Sequence, residues 1–148
     1  MLPSLHDHHL LGYVVSEGCL TLETIPSGFN RTPQLTIFEG CEAYHFPHAE
    51  PGAVLGHIVS SDLMSFLQNH SAEFEDGFTQ CGWPSWWRGS IEEAYAYLQK
   101  RGVSALEITS AVGFSGWVLA ATVTTTGSSN AADHQSGQPD AVARRQLP

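Results

Sequence analysis

The sequence predicts an α+β fold: a mostly antiparallel β-sheet of about six strands, in the order ββββααββ, with two helices packed on one face. Three observations carry that expectation. Runs rich in β-branched and aromatic residues, punctuated by glycine and proline, fill the first sixty positions. After residue 60, two stretches place apolar residues at helical spacing behind capping residues. A nearly unbroken apolar run from Trp117 to Ala121 then has the composition of a central strand covered on both faces.

Taken in order, Leu10 to Val15 and Cys19 to Ile25 flank Ser16-Glu17-Gly18, a short turn with glycine where a positive φ is needed, and predict a hairpin. Ser27 to Pro33 predicts a loop, and Gln34 to Phe46 a third strand with a bulge at Gly40. Pro47, Pro51 and Gly52 break the chain, so Ala53 to Val59 predicts a fourth strand returning beside the third. Ser61 is the expected cap of a helix whose Leu63, Phe66, Leu67, His70 and Phe74 form one apolar stripe. Ser90 with Glu93 three residues on makes a capping box for a second helix, its apolar face being Ile91, Ala94, Tyr95 and Leu98. Gly102 ends that helix, with Lys100 and Arg101 at the negative end of its dipole. Ser104 to Ser110 and Gly116 to Val123 predict the last two strands, joined by a turn containing Ser115.

Residues 1–125 are expected to form a single domain, long enough to bury a core without metal or disulfide staples. Residues 126–148, built from small and polar side chains, cannot offset the entropy of ordering and predict a disordered tail. That tail holds Asp133 and Asp140 against Arg144 and Arg145, so the whole net charge of −9 falls on the body. With so few bases and no run of them, counterion release has nothing to work with, which argues against nucleic-acid binding. An acidic body suits a basic protein partner instead. Cys19, Cys41 and Cys81 are odd in number and without CxxC spacing, so buried free thiols and a reducing cytoplasm are expected. No segment has the apolar length of a membrane span or the pattern of a signal peptide, so no membrane partner is expected.

His6-Asp7-His8-His9 is the densest polar cluster, and imidazole with carboxylate is a ligand set for zinc or a similar metal. Alternation along a strand lets His6 and His8, or Asp7 and His9, share a side, so a further ligand has to come from His45, His48 or His57. The metal set carried forward is His6, Asp7 and His45. Trp83, Trp86 and Trp87 with Arg88 allow two readings: an exposed patch of the kind that supplies binding hot spots, or a lid over the core. No nucleophile elbow, phosphate loop or dinucleotide fingerprint is present, and Glu73, Glu75, Asp76, Glu92 and Glu93 are expected at solvated helix ends.

Leu5-His6-Asp7, the stretch Phe38 to Phe46 and the stretch Gly113 to Ala120 together resemble small uncharacterised bacterial domains. More distantly, they are similar to the immunity proteins of polymorphic toxin systems, which open with a like His-Asp turn. In that likeness a small residue usually follows His-Asp, where this chain has His8 and His9. The resemblance covers roughly residues 4 to 121 and brings no catalytic residue with it. It implies an intracellular interaction protein that neutralises a toxin; together with the acidic body, the expected function is a non-catalytic protein-binding domain for a basic toxin, with no cofactor. The alternative function is a small metal-dependent enzyme using the His/Asp cluster.

Overall fold

The computed structural model describes residues 1–29 and 31–127. Six strands and two helices follow in the order β1 (Ser4–Ser16), β2 (Cys19–Pro26), β3 (Gln34–Glu39), β4 (Ala43–Ser61), α1 (Leu63–Cys81), α2 (Ile91–Lys100), β5 (Ser104–Ala120) and β6 (Thr122–Gly127). The strands make one curled antiparallel sheet in the spatial order β5-β4-β1-β2-β3-β6. The α+β class, the element order and the hairpin about Ser16 to Gly18 are as the sequence predicts. Strand β6 runs two residues past the expected domain boundary, and the rest of the expected tail, 128–148, lies outside the described residues.

The expected third strand is two strands. Gly40, at φ +62°, turns the chain after Glu39, and a Cβ on it would lie 3.0 Å from the Cβ of Ala121. Hydrogen bonds from the Cys41 amide to the Gly18 carbonyl and from the Glu42 amide to the Leu119 carbonyl fix this corner. Past it, β4 pairs with β1 and β5 instead of returning beside β3. Pro47 and Pro51 do not end β4, because its register with β1 starts only at Val54 and the earlier part is held by β5 with shifted register. There the missing proline N–H costs the sheet little.

The last two predicted strands are likewise redrawn. Ser104 to Ala120 is one strand, β5, so Ser115 lies within a strand and not in a turn. At Ala121 the chain leaves β4 and crosses to β3, where Thr122 pairs with Glu39 and Gly127 with Gln34. The outer strands of the curled sheet are therefore successive segments of the same chain. The cap of α1 is Asp62 and not Ser61: its carboxylate accepts the Ser65 amide at 2.9 Å. That hydrogen bond holds the Asp62 carboxyl below the usual carboxylate range.

Two apolar layers result. Inside the curl, Leu5, Leu10, Leu20, Leu22, Phe38 and Leu55 meet Ile108, Phe114 and Val118. On the other side of β4 and β5, the helices bury Phe66, Phe74, Trp86, Trp87 and Leu98 against Ala43, Trp117 and Leu119. Alternation along β5 divides its residues between the two layers.

His8 is a buried polar residue of the inner layer, its Nδ1 2.9 Å from Thr24 Oγ1. Burial pushes its imidazole below the ordinary histidine range. The unfolded chain then binds the proton more readily than the folded one, so this stability is present above the ordinary histidine pKa and is lost as pH falls. Urea unfolding at pH 7.5 and pH 5 checks this. The parent is expected to lose more stability between the two than His8→Gln does, and an equal loss in both removes His8 as the cause.

Candidate functional site

The expected metal set is not assembled. His6 and Asp7 sit at the start of β1 with His6 Nδ1 2.8 Å from Asp7 Oδ2, both largely exposed, and the His6 ring neighbours His57 at 5.2 Å. His45 points elsewhere, into the helix layer, where it contacts Glu73 and packs 6.0 Å from the Trp117 ring. Among the described residues, no group of three histidine, cysteine, aspartate or glutamate side chains is arranged to hold a metal ion. The physical reason is the pairing of β1 with the far half of β4, which puts His57 and not His45 opposite the N-terminal cluster.

The tryptophans divide. Trp86 and Trp87 are 6 % and 3 % exposed and form the lid over the core, with Trp87 Nε1 donating to Glu75 Oε2 at 2.7 Å. Trp83 is half-buried and stacks on Trp117 at 6.2 Å. Arg88 is exposed, donates to the Ser85 and Trp87 carbonyls and lies over the Phe78 ring. Of the expected patch, then, Trp83 and Arg88 reach the surface, while Trp86 and Trp87 are occupied within the fold.

The thiols also depart from expectation. Cys81 is exposed, and Cys19 and Cys41 are half-buried. Leu20 faces the inner layer, so alternation turns Cys19 outward, whereas Cys41 packs against that layer. Burial pushes the Cys41 thiol up to about 11.

The chemically densest place among the described residues was not singled out in the sequence. Glu73, expected at a solvated helix end, lies mid-helix between two imidazoles. One carboxylate oxygen is 3.0 Å from His70 Nδ1 and the other touches His45 Nδ1. The His70 contact is an aligned hydrogen bond; the His45 contact is an ion-pair approach off the hydrogen-bond line, leaving the enclosed Oε1 without a bonded donor. The floor is Trp117, 5 % exposed, with Phe66 4.3 Å from the His70 ring. These side chains open into a cleft of about 390 Å³ shared with Glu107, Thr109 and Ser115 of β5. The sequence did carry half of the signal: His70 and Glu73 are three apart on one helix face. His45 joins them only through the fold.

Fold and cleft together define a curled antiparallel sheet protein with a helix layer and a carboxylate-bridged histidine pair between them. Compared with known protein families, with curated proteins and with solved structures, the chain shows no match. Among the described residues, no helix is long and apolar enough to cross a membrane.

Proposed function

We propose that the chain is a protein-binding domain that offers an acidic surface to a basic partner. One observation carries this reading: of the thirteen acids in residues 1–127, eleven are exposed, and Glu42 alone among the described residues pairs with an arginine or lysine, Arg101. Asp7 and Glu73 meet only histidines, and no carboxylate besides Glu42 among the described residues is paired with a fixed positive charge. A surface of this kind speeds encounter with an opposite charge and makes association sensitive to salt. The resemblance to immunity proteins of toxin systems supports a basic toxin as that partner.

A cleft of about 480 Å³ on the helix side, lined by Trp87, Ile91, Glu75 and Glu92 among others, supports this reading by joining apolar and acidic side chains. The test is affinity capture from the native cell at low and at high salt, using the parent and a Glu75→Gln, Asp76→Asn, Glu92→Gln, Glu93→Gln variant. A basic protein that is held by the parent and lost with both salt and neutralisation is expected. Capture that ignores both, or no basic partner at low salt, overturns the reading.

A further inference from the structure

We propose that the cleft between α1, β4 and β5 is a hydrolytic site for small neutral carboxylic esters, with Ser115 as nucleophile and His45 as general base. Glu73 is the positioning residue. The proposal is independent of the acidic binding surface and rests on three placements. First, Phe114 lies in the inner layer and Trp117 in the helix layer, so Ser115 shares the face of Trp117. His45 is the register partner of Trp117 and His48 that of Ser115, which puts Ser115 and His45 diagonally across one ladder, and both line the same cleft.

Second, the register of β4 against β5 shifts between His45 and His48. A bulge re-aims the side chains beside it. Gly116, opposite, has no room for a Cβ, so the Phe46 ring and the His45 carbonyl close down at this point. Third, a carboxylate stands against the base, in ion-pair contact and not yet on the hydrogen-bond line. Glu73 meets Nδ1 of His45, which leaves Nε2 for a substrate-side proton, while His70 holds the other carboxylate oxygen. This is the order of roles in a nucleophile, base and acid constellation, whose bonds tighten when substrate is bound. Glu107 in the same cleft disfavours an acyl group carrying its own carboxylate.

In the first step Ser115 Oγ bonds to the ester carbonyl carbon and its proton passes to His45 Nε2. The tetrahedral adduct collapses, the carbon–oxygen bond to the alcohol breaks, and His45 returns the proton to the departing oxygen. Water then repeats the sequence on the acyl-serine, releasing the carboxylic acid and restoring the Ser115 hydroxyl. Ester and water become acid and alcohol, with no redox partner required.

The test uses the full chain and a fluorophosphonate, which bonds to an activated serine with loss of fluoride. A single adduct on Ser115, located by peptide mass, is expected, and it should be absent from Ser115→Ala. Hydrolysis of p-nitrophenyl acetate should fall roughly a thousandfold in Ser115→Ala and His45→Gln. Glu73→Gln should keep labelling at Ser115, but slower and with a displaced pH profile, which a merely structural carboxylate would not cause. An unlabelled Ser115 in the unmodified chain, or a parental rate in a folded Ser115→Ala, overturns the proposal.

Discussion

Phe74→Ala is expected to lower the free energy of unfolding by about 3–5 kcal/mol, the cost of removing a fully buried aromatic ring and leaving its cavity. Phe74 is 0 % exposed and stands at the centre of the helix layer, 5.4 to 6.1 Å from the rings of Trp83, Trp86, Trp87 and Trp117. Those four rings cannot collapse onto an alanine without moving the loop that carries three of them. A domain of this size has about 5–15 kcal/mol in all, so the variant stands close to its limit. Urea unfolding followed by tryptophan fluorescence measures the loss. Phe74→Leu, which keeps most of the volume, should cost less than half as much. A loss under 1 kcal/mol for the alanine variant would mean that the aromatic layer contributes little to stability.

The second large effect is expected where a methyl group is added. Gly116→Ala places a Cβ 2.5 Å from the His45 carbonyl oxygen and against the Phe46 ring. Alanine in a strand ordinarily gains about 0.5–1 kcal/mol over glycine through the unfolded chain. Here the clash is with backbone, which cannot rotate away, and overpacking of about 2–3 kcal/mol outweighs that gain. The predicted result is a lower urea midpoint together with a displaced imidazole signal for His45 in proton NMR. A midpoint at or above that of the parent would show that the β4 bulge yields without cost.

Much of the fold was legible because it rests on local rules. The hairpin at Ser16 to Gly18, the capping box at Ser90 and the stripe of Phe66, Leu67 and Phe74 each lie within one element, where spacing alone decides. The errors share one cause, since each needed knowledge of a distant neighbour. Pro47 and Pro51 read as breaks in the sequence because nothing local tells that β4 lacks in-register pairing with β1 there. Gly40 suggested a bulge, and Ala121 is what makes it a corner.

The site was less legible than the fold for the same reason. Among eight histidines, adjacency points to His6 and Asp7, which do meet at 2.8 Å, but the pairing of β1 with the far half of β4 keeps His45 away from them. His45 and Glu73 are 28 positions apart and meet because α1 packs on the face that β4 and β5 share. The aromatic segment could be assigned to the lid only in part, because burial of Trp86 and Trp87 depends on the helices at either side.

The junction at Ala121 also bears on how the chain reaches its folded state. The ladder between β3 and β6 joins residues 34–39 to residues 122–127. Few contacts in a domain of this length are more remote in sequence, and closing so large a loop comes before any of its pairing can be rewarded. During synthesis, the β3 edge stays unpaired until the chain has been made past residue 122. Strand β3 carries Leu35, Ile37 and Phe38 on that edge, so for this interval the nascent chain presents an unpaired apolar strand to its neighbours.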